Sequence, residues 1–355
     1  MKKKYLILIL FLVVLTAAGC GQRVVATGWS GLAATDEIVF LATGPSISAL
    51  DAKSGLLKWE YPPEPERDVE FYAAPVLTED NQLIAGGYDS VLYSLNPETG
   101  SQRWTFTEAG DRFISPPLVT DDGIFATSAD HYLYGLDFEG NPLWEPVETG
   151  EPIWAAPIYS ESCDCLYLAG MDHILYAVDP DNGQLLWKSE DLGGPVVSQP
   201  AISDQGLILL STFGNEIIAV SEETRSVEWR YSTQDWAWAS PLVDGEQVYA
   251  SDISGLFFAL DLTTGELLWQ IQPGGAVVSP PLLVDDMIYF GTDQGALVTV
   301  SREGTIQKNQ ELEGKIYASP VTNGEYMMVA TSEADQIISA YNLNGTKVWG
   351  YPVAD

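Results

Sequence analysis

The chain has 355 residues, of which 50 are Asp or Glu and 16 are Lys or Arg, so its formal net charge at pH 7 is −34. Such a charge repels nucleic acid and anionic lipid headgroups, which excludes a nucleic-acid-binding protein and favours apolar or cationic partners. The 32 glycines, 21 prolines and 46% apolar residues are enough for one large all-β core with its turns.

The first twenty residues, MKKKYLILILFLVVLTAAGC, have the pattern of an export signal. Three lysines precede an apolar run from Tyr5 to Gly19, which is short for a membrane-spanning helix and suits a signal peptide. The small residues before Cys20 resemble a bacterial lipobox, although Ala17 stands where leucine is usual. An ordinary secretory signal with a nearby cysteine is the alternative.

We therefore predict a lipoprotein signal peptide over residues 1–19, acylation of Cys20, a short linker over 20–23 and one domain over 24–355. The protein would be extracytoplasmic and held to a membrane by its acyl chains alone, because the acidic chain has no basic patch to bind lipid headgroups. The membrane would be the outer one in an organism that has two.

An eleven-residue stretch recurs along the rest of the chain. Ala259–Trp269 reads ALDLTTGELLW, in which the polar letters TTG separate two short apolar pieces. That pattern predicts two strands joined by a tight turn, with a glycine at the position that needs a positive φ. The closing residues recur every 39 to 45 positions, and they are Trp59, Trp104, Trp144, Trp187, Trp229, Trp269, the stand-in Lys308, and Trp349.

This period is typical of four short strands per unit, and the chain has room for eight such units. A four-stranded sheet of this size cannot bury both faces alone, so neighbouring sheets must stack. The first and last units are as apolar as the middle ones, which indicates a closed ring without caps. The sequence therefore predicts an all-β, eight-bladed β-propeller of four-stranded antiparallel blades, with the seven tryptophans docking between blades.

The two remaining cysteines and the two histidines are poor candidates for a metal site. Cys163 and Cys165 are two residues apart, so a disulfide requires the chain to curl at Asp164, and free thiols are the alternative. His131 and His173 occupy the same position in neighbouring units, where other units have Ser, Asn or Gly. That residue set predicts a hairpin turn with a left-handed φ, and we expect no metal.

A series of aromatic residues marks a possible binding surface. They stand three residues before the AP or SP proline of each unit, near the start of the innermost strand, with Val197 and Val277 breaking the series. Aromatic rims bind sugars, peptide side chains or flat ligands, while packing between blades is the alternative. The six candidate ligand-binding residues are Trp29, Tyr72, Phe113, Trp154, Trp238 and Tyr317.

The AxDxxTGxxxW unit resembles the tryptophan-docking repeat of the pyrroloquinoline-quinone (PQQ) propeller superfamily over about residues 24–352. A lipoprotein with eight such units and no other domain is similar to the propeller lipoproteins of the outer-membrane β-barrel assembly machinery. This chain departs from the repeat at Thr299, at Lys308, and at Arg225, where glycine is usual. We expect these departures to weaken single blade contacts without opening the ring.

The resemblance implies two kinds of function. Quinoprotein dehydrogenases hold PQQ with calcium under adjacent cysteines, whereas Cys163 and Cys165 are not adjacent, and no Cys-x-x-Cys-His is present for a haem. We therefore predict no catalytic residue and no cofactor, and expect a monomeric scaffold that binds protein partners of the cell envelope through blade-edge loops. A lipoprotein that binds glycans or other ligands, and a PQQ-dependent dehydrogenase, are the alternatives.

Overall fold

Each repeat unit forms one four-stranded antiparallel sheet in the computed structural model, which describes residues 29–352. Every sheet is built from four consecutive strands, and each strand pairs with the next one along the chain. The first strands of successive blades lie against one another, as β1 does against the first strand of the last blade, so they line a central channel. The predicted eight-bladed β-propeller is confirmed.

The strands follow one another blade by blade along the chain. Blades one to four contain β1 (Gly31–Ala34), β2 (Ile38–Thr43), β3 (Ser46–Asp51), β4 (Leu57–Tyr61); β5 (Val76–Leu77), β6 (Leu83–Gly86), β7 (Leu92–Leu95), β8 (Gln102–Phe106); β9 (Leu118–Val119), β10 (Ile124–Thr127), β11 (Tyr132–Leu136), β12 (Val147–Glu148); β13 (Ile158–Ser160), β14 (Cys165–Ala169), β15 (Leu175–Val178) and β16 (Leu185–Lys188). Blades five to eight contain β17 (Ala201–Ile202), β18 (Leu207–Thr212), β19 (Glu216–Ser221), β20 (Val227–Ser232); β21 (Leu242–Asp244), β22 (Gln247–Ser251), β23 (Phe257–Asp261), β24 (Leu267–Ile271); β25 (Leu282–Val284), β26 (Met287–Gly291), β27 (Ala296–Ser301), β28 (Ile306–Glu311); β29 (Val321–Thr322), β30 (Tyr326–Ala330), β31 (Gln336–Asn342) and β32 (Lys347–Pro352).

The burial of the strands follows from their place in the blade. The second and third strands, such as β18 and β19, are buried almost throughout because adjacent blades cover both faces of each sheet. The fourth strand forms the outer edge and alternates between buried and exposed residues, as β20 does. No helix in residues 29–352 is long and apolar enough to cross a membrane.

Trp229 shows how one blade attaches to the next. Its indole Nε1 donates a hydrogen bond of 2.9 Å to the carbonyl oxygen of Leu262 in the turn between β23 and β24. The ring lies against Gly265, where a Cβ atom would come within 2.6 Å of the indole, and Gly265 also has a φ of 70°. Glycine is needed here both for the backbone conformation and for room.

Five other tryptophans make the same contact with the turn of the following blade. Each indole Nε1 donates to a carbonyl oxygen at 2.8–2.9 Å, and the pairs are Trp59–Pro97, Trp104–Phe138, Trp144–Pro180, Trp269–Arg302 and Trp349–Ala52. The last pair joins blade eight to blade one. Since each of these two blades has its own four strands, the ring is closed by side-chain docking and not by a shared sheet.

Lys308 takes the place of the tryptophan between blades seven and eight. Its Nζ donates a 3.0 Å hydrogen bond to the carbonyl oxygen of Asn344, beside the turn glycine Gly345. The ammonium group therefore satisfies a turn carbonyl as an indole would, but it contributes less apolar area.

The contact between blades four and five is of a different kind. Arg225 occupies the turn-glycine position with a φ of 55°, and Trp187 meets the ring of Tyr167 edge-on within its own blade, at a centroid distance of 5.6 Å. The carboxylate of Glu222, in the turn of blade five, accepts hydrogen bonds from blade four. Ser160 and Ser162 donate to the same carboxylate at 2.6 and 2.7 Å. A polar network replaces the indole–glycine contact.

A disulfide joins Cys163 and Cys165 beside this network. Their Cα atoms are 5.3 Å apart, and Asp164 between them has a φ of 52°, which is the curl that the bridge requires. The hydroxyl of Tyr167 lies 3.5 Å from the sulfur of Cys163. The bridge thus fixes the turn that carries Ser162 towards blade five.

Replacing Glu222 by alanine is expected to lower the free energy of unfolding by about 2 kcal/mol, because the hydroxyl groups of Ser160 and Ser162 lose a charged acceptor. Chemical denaturation measures the change. The exposed neighbour Glu223 is the matched control, and Glu223→Ala should change the stability by less than about 0.5 kcal/mol. Equal effects of the two substitutions would contradict the role given to Glu222.

Candidate functional site

The two faces of the ring carry different loops. One face, called the connection face, holds the segments that lead from one blade to the next and the hairpins between second and third strands, such as Phe213–Asn215. The opposite face, called the turn face, holds the other hairpins of each blade, including the turn of Gly265 and the Cys163–Cys165 bridge. The channel mouth that carries the aromatic residues opens on the connection face.

A cavity of about 750 Å³ occupies this mouth of the channel. Five of the six aromatic residues singled out in the sequence line it, and they are Trp29, Tyr72, Trp154, Trp238 and Tyr317. A second cavity of about 270 Å³ shares four of these walls and adds Val197 and Val278. The structure therefore brings together residues from blades that are far apart in the sequence.

The prediction that the sixth residue, Phe113, belongs to the rim is wrong. It is 1% exposed and packs in the core with Tyr134, whereas the next residue, Ile114, lines the cavity. The unit has two prolines, Pro116 and Pro117, and the repeat is in register with the second of them. Counting back from the first proline shifts the alignment of this unit by one residue. In an extended chain successive side chains point to opposite sides, so the shift selects a residue that faces the core.

The same slip affects the seventh unit, where Pro280 and Pro281 follow each other. Val277 is buried in the core, and it is Val278 that lines the channel. Backbone hydrogen bonds support the corrected register, since Phe113 N donates to Gly87 O at 3.1 Å and its equivalent Val196 N donates to Gly170 O at 3.2 Å. The corrected ring at this level is Trp29, Tyr72, Ile114, Trp154, Val197, Trp238, Val278 and Tyr317.

Trp29 extends across the channel mouth from the first blade. Its ring stacks on Tyr317 at a centroid distance of 5.5 Å and meets Trp238 edge-on at 4.9 Å, although Trp238 precedes blade six. Trp29 remains 36% exposed, and Trp154, Trp238 and Tyr317 are partly exposed. The cavity thus has flat apolar walls that are open to a ligand.

One charged pair stands in this wall. Asp111 and Arg112 lie in the connection before blade three, with Arg112 Nε 3.5 Å from an oxygen of Asp111, and both side chains are half exposed. The guanidinium group also lies 5.5 Å from the ring centroid of Tyr88. Sequence reasoning missed this pair because neither residue belongs to the repeat.

Aspartates of the hairpins on the connection face hold the backbone in place. Asp130 accepts hydrogen bonds from Tyr134 OH at 2.7 Å and from Gly110 N, in the connection that leads into the same blade. Asp172 pairs in the same way with Tyr176 and Gly150. These carboxylates are occupied by structural bonds, so their presence near the channel does not indicate catalysis.

Buried tyrosines, one of them in the Asp172–Tyr176 pair, predict a loss of stability at alkaline pH. Burial, with the bond to Asp172, raises the pKa of Tyr176 to about 12, and burial raises the pKa of Tyr249 to about 12. A folded-state pKa above the usual value near 10 stabilises the protein fully below pH ~10, and this contribution is lost as the pH rises through the folded value. The denaturation midpoint should therefore fall between pH ~10 and ~12, and less steeply in Tyr176→Phe; a flat midpoint would contradict this.

The two histidines adopt the predicted turn conformation. His131 has a φ of 81° and His173 a φ of 65°. The equivalent residues Ser90 and Asn215 also have positive φ angles, of 68° and 62°. His173 Nδ1 lies 3.2 Å from a carboxylate oxygen of Asp191 at an exposed position. Within residues 29–352 no group of His, Cys, Asp and Glu side chains has the arrangement of a metal site.

Exposed aliphatic residues form an outer belt that sequence reasoning did not predict. They lie on the fourth strands and the turns before them, near the docking tryptophans. Leu56 is 70% exposed, and the others are Leu57, Leu143, Leu185, Leu186, Val227, Leu267, Leu268, Ile306, Leu343 and Val348. The equivalent positions of blade two are polar, Gln102 and Arg103. The signal was the LLW or VxW pattern that precedes several of the docking tryptophans, but the same pattern is also typical of a buried strand. Cys20, the predicted acylation site, lies outside the residues that the structure describes.

Comparison with known proteins identifies the family. A family model described as outer membrane protein assembly factor BamB matches residues 20–110, 43–187 and 170–303. The chain is 22% identical over 280 residues to BamB of Shewanella oneidensis, covering 74% of this chain and 59% of that protein. It is 24% identical over 271 residues to the β-alanine-activating enzyme of Drosophila melanogaster, covering 68% of this chain but only 26% of that enzyme.

Solved structures show the same fold. The crystal structure of BamB from Moraxella catarrhalis superimposes with a TM-score of 0.74 at 16% identity, covering 88% of this chain and 96% of that one. A computationally designed protein, Ika8, gives a TM-score of 0.76 at 13% identity, covering 89% and 96%. Similarity at this level of identity concerns the architecture alone.

Proposed function

The chain belongs to the family of the outer membrane protein assembly factor BamB, and we propose that it is an extracytoplasmic, non-catalytic scaffold that binds protein partners in outer membrane protein assembly. The family match over residues 20–303 is the observation that carries this proposal. The relatives of that name and the eight-bladed ring support it.

The residues at the channel support a binding role over catalysis. The Cys163–Cys165 bridge is on the turn face and does not line the aromatic cavity, so it cannot cover a ligand there. Among the residues that the structure describes, Asp111 is the one acidic residue in the cavity wall, and its carboxylate is half exposed and lies 3.5 Å from Arg112 Nε. The remaining walls are mainly aromatic or small.

Acylation of Cys20 would place the connection face towards the membrane. Trp29, whose side chain stands in the channel mouth, follows Cys20 by nine positions. An extended chain of that length spans at most about 30 Å. The mouth would then lie within that distance of the bilayer, and the turn face would point away from it.

The outer belt is the surface best suited to a protein partner. Leu185 with Leu186 on blade four and Leu267 with Leu268 on blade six are each 43–49% exposed. Exposed leucine pairs beside an unpaired strand edge offer apolar area and backbone hydrogen bonds together, which partner strands use. The strong negative charge keeps nucleic acid away from the same surface.

Deletion of the gene in the source organism tests the proposal. We expect the amount of folded outer-membrane β-barrel protein to fall and to recover with the wild-type gene. Unchanged amounts of all such proteins would contradict an assembly role.

A further inference from the structure

The aromatic cavity at the channel mouth is the strongest feature that the scaffold role does not use. Its volume of about 750 Å³ lies within the range of sites for small molecules. Partner binding at the outer belt would leave this cavity open, because the belt lies at the fourth strands and the cavity is lined mainly by the connections that lead into the first strands.

The charges around the cavity restrict the class of ligand. The wall holds one acid and one base, Asp111 and Arg112, which neutralise each other, while the chain as a whole carries a net charge of −34. A polyanion is repelled by that field, and a small cation meets a guanidinium beside the single carboxylate. An uncharged ligand is opposed neither by the overall negative charge nor by the neutral Asp111–Arg112 pair.

The geometry favours a ligand with flat apolar faces and many hydroxyl groups. Trp154, Trp238 and Trp29 present partly exposed rings, and such faces pack on the C–H surface of a sugar ring. The guanidinium of Arg112 lies 3.5 Å from the carboxylate of Asp111 and over the ring of Tyr88, so a donor group and an acceptor group stand side by side in the cavity wall. Such a pair suits the neighbouring hydroxyls of a saccharide.

We propose that the channel mouth binds a short uncharged oligosaccharide, with Trp154 stacking on a sugar ring and the Asp111–Arg112 pair bonding to hydroxyl groups. The serines near the cavity floor add hydrogen-bonding capacity. Ser198 Oγ is buried there without a hydrogen-bond partner among the described residues, and its residue lines the deeper part of the channel.

Titration of the purified chain with cellotriose, maltotriose and tri-N-acetylchitotriose tests the proposal. Calorimetry gives the dissociation constant, and tryptophan fluorescence reports the stacking. We expect saturable binding of at least one trisaccharide below about 10 mM, and a loss of about tenfold or more in affinity in Trp154→Ala and in Arg112→Ala. Arg112 is half exposed, so its removal leaves the fold intact even where the tryptophan variant is destabilised.

Trp236→Ala is the matched control, since Trp236 is 45% exposed on the same face but stacks on Phe213 outside the cavity wall. Its affinity should stay within about twofold of the wild type. Three results would overturn the proposal: no saturable binding of any trisaccharide, equal loss in the control and the cavity variants, or saturable binding of pyrroloquinoline quinone with no response to sugars. None of these results tests partner binding, so the saccharide proposal can fail without affecting the scaffold proposal.

Discussion

Replacing Trp229 by alanine should lower the free energy of unfolding by about 3–5 kcal/mol, as expected for removal of a fully packed large aromatic. Trp229 is 8% exposed, it lies on Gly265, and its indole donates to Leu262 O at 2.9 Å. The substitution removes apolar area, leaves a cavity between blades five and six, and leaves one turn carbonyl without its donor. Guanidinium denaturation followed by circular dichroism measures the loss.

Two further variants test whether the loss of stability in Trp229→Ala comes from the docking contact. Trp236→Ala removes an exposed indole and should cost less than about 1 kcal/mol. Gly265→Ala should destabilise strongly for the opposite reason, because the new methyl group would come within 2.6 Å of the Trp229 ring. Similar stability of Trp229→Ala and Trp236→Ala would contradict the docking role.

Replacing Cys20 by serine should move the protein from the membrane fraction to the soluble extracytoplasmic fraction. The thiol is the acceptor of the lipid in the proposed processing, and without acyl chains an acidic protein has no other attraction to lipid. Fractionation followed by a high-salt wash measures the change. The unfolding midpoint of the released protein should match that of the acylated form, since Cys20 precedes the ring.

The double variant Cys163→Ser, Cys165→Ser is the control for general effects of losing cysteine. It should remain in the membrane fraction while losing some stability at the contact between blades four and five. A Cys20→Ser variant that stays bound after the salt wash would show that acylation is not the anchor.

The fold could be predicted because its signal is repeated along the chain. Each unit carries the same turn and closing residue, so the degenerate copies at Arg225 and Lys308 do not hide the period. What replaces the missing docking contacts could not be predicted. The hydrogen bonds of Ser160 and Ser162 to Glu222 join residues that are 62 and 60 positions apart in the sequence, outside any repeat pattern.

The candidate site could be predicted only in part. Five of the six aromatics line the cavity, but Phe113 does not, because the doubled proline at Pro116 and Pro117 made the register ambiguous by one residue. The Asp111–Arg112 pair could not be predicted from the sequence, because both residues lie in an irregular connection outside the repeat. The outer leucines could not be recognised as exposed, since apolar residues beside a docking tryptophan have the composition of a buried strand.

Affinity capture from detergent-solubilised envelopes tests the central claim, that this chain is a partner-binding scaffold. The wild-type chain is compared with variants in which Leu185 and Leu186, or Leu267 and Leu268, are both replaced by glutamate, and with Gln102→Glu on polar blade two as the matched control. We predict that the wild type and the control retain a component of outer membrane protein assembly in near-equal molar amount, and that one leucine variant loses it. Retention of no such component by the wild-type chain, or equal retention by all variants, would contradict the account.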